Sequence, residues 1–224
     1  MTVWFASGNA NKKKELAAIL NACGGISNLL IPADAGLDFD PEETGTTFAE
    51  NALLKARELY SLLEQRRLEK AGFKKTGALM YATGDPVIAD DSGICVDALG
   101  GRPGIYSARY TGRNGPLKKI NSAERNALLL EEIGDTPLRN ARFVCAMVLM
   151  FSPDRFFLAQ ETLEGEIVLS REFARGTGGF GFDPILYIPG LGRTVAELSE
   201  DEKNVISHRA KAGKIIAGII KAYS

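Results

Sequence analysis

Thr2–Ala6 is a short apolar run, cut off by Ser7-Gly8-Asn9 and followed by Leu16, Ile19, Leu20 and Cys23 at helical spacing. A strand that turns through small polar residues into an amphipathic helix commits the chain to layered α/β packing from its first residues. Gly24-Gly25 stops the helix, and Leu29–Ile31 reads as a second strand. An acidic loop, Asp38 to Gly45, leads to Thr47 and Glu50, a capping box. The helix it opens carries Phe48, Ala52, Leu53, Ala56, Leu59 and Leu63 on its apolar face. Arg66 to Asp85 reads as an extension of that helix plus a surface loop.

Val87–Ala89 is a buried strand ending at Asp90-Asp91-Ser92-Gly93, with Ile94–Val96 a further candidate. Beyond a loop-rich Gly100 to Gly115, Asn121 and Glu124 cap a helix that runs through Ile133. Phe143–Phe151, Phe156–Ala159 and Glu166–Leu169 read as strands, the last two as a hairpin, and Ile185–Ile188 as another. Ile215, Ile216, Ile219 and Ile220 share one stripe of a final helix. Helices and strands alternate at first and strands then cluster, which predicts an α/β fold with a mixed sheet flanked by helices. With no internal repeat or Pro/Ser linker, residues 1–224 are read as one domain, two-lobed.

Composition narrows the function classes. The 27 basic and 28 acidic residues leave a net charge of −1, without the basic excess that a duplex-binding protein carries. Nucleic acid is therefore not an expected partner. Cys23, Cys95 and Cys145 each sit alone among apolar neighbours with no CxxC pair, so they read as reduced core residues, outside any zinc site. The opening MTVWFASGN lacks a signal-peptide pattern, and no apolar stretch approaches the ~20 residues of a membrane span. A cytoplasmic protein with no membrane partner is expected.

Four places carry chemistry. Ser7-Gly8-Asn9 before a helix can aim backbone N–H groups and the helix dipole at an anion, with Lys12 adding charge. The same residues are also ordinary helix capping. Adjacent carboxylates Asp90 and Asp91 at the end of a buried strand repel one another unless a cation or hydrogen-bond donors neutralise them. With Glu42 and Glu43 in the acidic loop they form an oxygen-only set, which favours magnesium over zinc. Arg175 to Asp183 contains G-x-G-x-x-G, but Pro184 and a β-type run follow where a dinucleotide fold needs a helix. What remains is a flexible backbone that can approach a planar ligand, with Phe180 or Phe182 to stack on it. The single histidine, His208, lies with Lys203 and Arg209 in a donor-rich cluster suited to oxo groups or phosphates. A lone histidine and no serine elbow argue against a Ser-His-Asp hydrolase, and GxxxxGK[ST] is absent.

Taken in order, these segments resemble the inosine/xanthosine triphosphate pyrophosphatase family. The match includes Ser7 to Lys12, Glu42-Glu43-Thr44-Gly45, Phe48-x-Glu50-Asn51-Ala52, Lys55-Ala56 and Asp90-Asp91-Ser92-Gly93. It continues through Leu99 to Arg109, the Gly176–Asp183 loop, Ala196-Glu197-Leu198 and Ser207-His208-Arg209. The resemblance implies an elongated mixed sheet, a nucleotide cleft between two lobes, and a homodimer. By position it implies that Ser7, Gly8, Asn9, Ala10, Asn11 and Lys12 cradle a triphosphate and that Lys55 reaches the phosphates. Glu42 and Asp91 would help hold magnesium, with manganese as a substitute and Glu43 and Asp90 as further candidates. Asp91 would be the catalytic base, and Ser92, Phe180, Gly181, Phe182, Asp183, Lys203, His208 and Arg209 would contact the nucleotide. The reaction implied is hydrolysis of ITP, dITP or XTP to the monophosphate and pyrophosphate. A sensor that binds without cleaving, or a pyrophosphatase for other modified nucleotides, are the alternatives. Arg66 to Asp85 is longer than this connection usually is in the family.

Resemblance and helix geometry disagree at one point. Ser199 and Glu202 form a capping box, suggesting one helix from Glu200 to the end. On one helix Lys203 and His208 would point about 140° apart and could not readily reach one ligand. The sequence therefore predicts a break near Val205–Ser207, with Ser207 capping a fresh start.

Overall fold

Val3 and Phe5 are fully buried on β1 (Thr2–Phe5) while Thr2 and Trp4 keep some exposure, the alternation that a pleated strand produces. In the computed structural model, which describes residues 1–70, 84–112 and 120–223, β1 pairs in parallel with β2 (Asn28–Leu30) and β3 (Val87–Val96). β4 (Asn140–Ser152), β5 (Arg155–Ile167), β6 (Leu186–Ile188) and β7 (Arg193–Thr194) complete a mixed sheet of order β2-β1-β3-β4-β5-β6-β7 among the described residues. β6 is antiparallel to both its neighbours. The helices are α1 (Ala10–Cys23), α2 (Phe48–Lys70), α3 (Ser122–Ile133), α4 (Glu200–Ile206) and α5 (His208–Ala222). None of the described helices is long and apolar enough to cross a membrane.

The chain divides into two compact units. The first comprises Met1–Asp91, Ala146–Gln160 and Ala212–Ser224. Val3, Phe5, Leu16, Leu20, Leu59, Ile88, Leu149 and Ile216 are sealed from solvent in it, each contributing roughly 1.5–3 kcal/mol of hydrophobic stabilisation. Helices α1 and α5 meet at Gly213, where a Cβ would stand 3.0 Å from Ile19 Cγ2. The second unit comprises Ser92–Cys145 and Glu161–Lys211, around a core that includes Ile94, Leu129, Phe143, Leu163, Ile167, Phe182, Ile185 and Val195.

Several elements differ from their sequence reading. β3 runs unbroken through Asp90-Asp91-Ser92-Gly93, so the two acids lie within a ten-residue strand and not at its end. Position 93 of the strand admits only glycine, because a Cβ there would stand 2.3 Å from the Gly104 carbonyl oxygen. Phe156–Ala159 and the start of the second run, Glu166-Ile167, belong to one strand, β5, which follows β4 through the short connection Pro153-Asp154, while Val168 and Leu169 lie beyond its end. On α5 the buried stripe is Ala212, Gly213, Ile216, Ala217 and Ile220, and Ile215 faces solvent. The helix read at Arg66 continues to Lys70, and the rest of that reading, residues 71–83, lies outside the described residues.

The C-terminal helix is broken at Ser207, within the Val205–Ser207 stretch where the resemblance and the capping potential of Ser207 together predict it. α4 ends at Ile206, Ser207 is extended with φ −64° and ψ 154°, and α5 begins at His208. Ser207 Oγ accepts from Ala210 N at 3.1 Å, so the break residue caps the new helix. At the other end of α4, Glu202 accepts from Ser199 N and from Arg193 Nη2 at 2.7 Å. The Arg193 hydrogen bond, with help from Ser199, pulls the Glu202 carboxyl from its ordinary 4.5 down to about 2. Because the folded value lies below the unfolded one, this group stabilises the fold above about pH 4.5 and ceases to as pH falls toward 2. Glu202→Gln should therefore lower Tm at neutral pH and leave Tm unchanged near pH 2. Equal Tm loss at both pH values in a thermal scan would contradict this.

Candidate active site

Asp90 and Asp91 are 1% and 5% exposed, and ionised neighbours so deeply buried require neutralisation. Two lysines supply it. Lys12 Nζ lies 3.1 Å from both Asp90 oxygens. Lys55 Nζ lies 3.0 Å from Asp91 Oδ1 and 3.0 Å from Glu43 Oε1. Lys12 reaches Asp90 from the first turn of α1, a turn fixed by the Asn9 side chain accepting from Asn11 N and Lys12 N. Ser7 Oγ in turn accepts from Asn9 N, while Gly8, Asn9, Ala10 and Asn11 remain at the surface.

Lys55 reaches Asp91 from α2, whose first turn is set by the Thr47–Glu50 box. Asn51, one turn before Lys55 and on the same helix face, donates to Asp91 Oδ2 at 3.3 Å. Burial alone would lower the Lys55 pKa, but the charges of Asp91, Asp90 and Glu43 outweigh it and hold the ammonium protonated. Burial lifts the Asp91 carboxyl above the ordinary carboxylate range, against the pull of Lys55. A carboxylate raised in this way is the better proton acceptor. Glu43 joins the cluster, whereas Glu42 beside it is exposed. Among the described residues no three His, Cys, Asp or Glu side chains converge as a ready-made metal cage.

A second cluster belongs to the second unit. Lys203 of α4 and Asp183 form a buried ion pair at 2.8 Å, and Asp183 also accepts from Phe180 N at 2.8 Å. Phe180 presents its ring to Lys203 Nζ at 4.9 Å and to the Arg209 guanidinium at 5.8 Å, both cation–π distances. Arg209, from the first turn of α5, donates to Ser92 Oγ at 2.8 Å. His208 is buried and stacks on Phe143 with centroids 5.0 Å apart. The helix break thus lets Lys203 and Arg209 reach one aromatic ring. Phe182 lies in the core, edge-on to Tyr110, which leaves Phe180 as the half-buried ring of the loop; Gly181 is half-buried beside it.

The glycine-rich loop is packed against its own chain, contrary to the flexible backbone its sequence suggests. A Cβ on Gly176 would stand 2.3 Å from the Ala196 backbone, and one on Gly179 1.9 Å from Asp183 Oδ2. Gly176 admits the close approach of the Val195–Glu197 turn, and Gly179 that of the Asp183 carboxylate. Sequence reasoning missed Asn51 and Phe143 as parts of these clusters. For Asn51 the signal was present in its spacing of four from Lys55.

The Ham1 family model matches residues 3–218. The chain is 41% identical over 221 residues to the dITP/XTP pyrophosphatase of Treponema denticola, covering 99% of each chain. It is 44% identical over 211 residues to the dITP/XTP pyrophosphatase of Geobacillus kaustophilus, covering 93% of this chain and 88% of that one. Among solved structures it is similar to the Ham1 protein of Staphylococcus aureus, with TM-score 0.75, 33% identity and full coverage of both chains. A HAM1 protein from Coxiella burnetii superposes with TM-score 0.75 at 34% identity over 99% of each chain.

Removing one partner of a buried ion pair strands the other. Asp183→Ala should lower the unfolding free energy by about 3–5 kcal/mol in urea denaturation, and adding Lys203→Met should recover most of it. A double variant as unstable as the single one would show that the ion pair is not the source of the loss.

Proposed function

The chain belongs to the Ham1 family, and from that premise we propose how its residues divide the reaction. The protein hydrolyses non-standard purine nucleoside triphosphates, such as ITP, dITP and XTP, to the monophosphate and pyrophosphate. One observation carries the assignment of roles: Asp90 and Asp91, adjacent and buried, are each held by a lysine, Lys12 and Lys55. Carboxylates and ammoniums in contact provide ligands for a dication and for phosphates at one place.

On this reading Lys12, with Ser7, Gly8, Asn9, Ala10 and Asn11, binds the phosphates, and Lys55 reaches them from α2. Asp91 takes a proton from the attacking water onto a carboxylate oxygen. That water adds to the α-phosphorus, the bond from the α-phosphorus to the bridging oxygen breaks, and pyrophosphate leaves with its electron pair. Asp91 and Glu42 hold magnesium, or manganese in its place, with Asp90 and Glu43 within the same acidic set. The all-oxygen donor chemistry fits a hard dication. Such an ion, when bound, neutralises triphosphate charge and stabilises the leaving group. In the second unit Phe180 stacks on the base, while Lys203, His208, Arg209 or loop N–H groups donate to its 6-oxo group. Ser92, Asp183, Gly181 and Phe182 hold those donors and the loop in place. We read residues 1–224 as one functional domain, and the protein as a cytoplasmic homodimer on the family resemblance.

Pyrophosphate release from ITP should require magnesium or manganese and stop with chelator. Asp91→Asn should lose roughly 10²–10⁴ of turnover with its fold intact by circular dichroism. Near wild-type rates in that variant would remove Asp91 from the mechanism. Adenine presents a 6-amino donor where the site also donates, so discrimination against ATP can reach roughly 10⁴-fold in kcat/KM. ATP cleaved as fast as ITP in the same substrate panel would overturn the donor assignment.

A further inference from the structure

Asn51 has no solvent exposure at all, yet both ends of its amide are used. Its Oδ1 accepts from Gly45 N at 2.9 Å, which fixes the amide orientation and leaves Nδ2 to donate to Asp91 Oδ2 at 3.3 Å. Gly45 ends the loop that carries Glu42 and Glu43. It also approaches Asn51 too closely for any other residue: a Cβ there would stand 2.6 Å from Asn51 Oδ1 and 2.9 Å from Asn51 N. Asp91 Oδ1 is meanwhile held by Lys55, which also holds Glu43. The acidic loop and the Asp91 carboxylate are therefore joined twice, by an ammonium and by an amide.

The two ties differ in kind. Lys55 is a flexible point charge that can leave the carboxylates for a phosphate, and an ammonium has no fixed direction of donation. The Asn51 amide is planar and short, and its two hydrogen bonds lie on opposite ends of one rigid group. When Lys55 moves, Asn51 is what keeps the loop and Asp91 in register. We infer that Asn51 is a positioning residue: it locks the acidic loop, through Gly45, at a fixed distance from the Asp91 carboxylate, so that oxygen ligands from both reach one dication. The inference rests on the proposed role of Asp91 and the loop acids, and deepens it.

The test separates the two halves of the amide. Asn51→Ala removes both hydrogen bonds. Asn51→Asp keeps an acceptor for Gly45 N but replaces the donor to Asp91 with a second carboxylate, which repels it. Gly45→Ala keeps the amide side chain of Asn51 but drives a Cβ against its Oδ1, forcing the loop and the amide apart. Three quantities are measured on each: turnover and KM for ITP, magnesium binding by calorimetry without nucleotide, and hydrogen exchange of the Gly45 amide. Asn51→Ala should lose about 10²-fold in kcat with little change in KM, and magnesium should bind about 10–100-fold more weakly. Its Gly45 amide should exchange faster. Asn51→Asp should keep the Gly45 amide protected yet lose turnover, and Gly45→Ala should lose magnesium affinity.

A merely structural Asn51 would lower Tm while the folded fraction kept its kcat and its magnesium affinity, and that result overturns the inference. So does unchanged exchange at Gly45 in Asn51→Ala. If Asn51→Ala does not fold, the near-isosteric Asn51→Asp and Gly45→Ala decide the matter. Should wild-type protein release no pyrophosphate from any purine triphosphate, the functional reading fails, while calorimetry and exchange still decide whether Asn51 sets the geometry of the loop.

Discussion

Two carboxylates in succession on a strand with almost no solvent contact are tolerable only if positive charge is brought to them, and much of the first unit is arranged to bring it. Lys12 arrives on α1 and Lys55 on α2, so the starting points of both helices are constrained by where their lysines must end. Asn9 fixes the first turn of α1, and the Thr47–Glu50 box fixes that of α2. Helix capping here does more than satisfy orphan N–H groups, because it sets the height at which each ammonium meets its carboxylate. The same burial that makes neutralisation necessary raises Asp91 as a proton acceptor, so the structural demand and the chemical property have one cause.

The second unit meets a like demand with different parts. Asp183, buried at the end of the glycine-rich loop, is neutralised by Lys203 and by Phe180 N. That arrangement turns the Phe180 ring toward two cations. The close approach of Gly179 to Asp183 leaves no space for a side chain at that position, and Gly176 is held in the same way against the Ala196 backbone.

What could be read in the sequence was mostly local. The caps at Thr47, Asn121, Ser199 and Ser207 each mark a real helix start, because a side chain bonding a backbone N–H three residues on depends only on its neighbours. The two alternating runs within β5 could not be joined into one strand from the chain alone. Periodicity falters at Gly165, where a Cβ would stand 2.5 Å from the Tyr187 carbonyl oxygen. The continuity of β3 through Asp90 and Asp91 was likewise invisible, since acids discourage a strand reading until the distant lysines are known. Phe180 and Phe182 look equivalent in sequence, and only packing against Tyr110 assigns one of them to the core. The order of the motifs carried the family resemblance without any of this detail.

The sheet is longest in its middle, where β3, β4 and β5 run 10, 13 and 13 residues, and shortest at its rims, where β2 has three and β7 two. A rim strand of two or three residues offers a foreign chain too few free N–H and C=O groups to template a ladder. The short rims in this way protect the described sheet against uncontrolled edge pairing, and Arg193 adds a charge on β7. Among the described residues, the rims therefore favour pairing of two copies through side chains on helices, loops or sheet faces, where shape can select the partner, over continuation of the sheet.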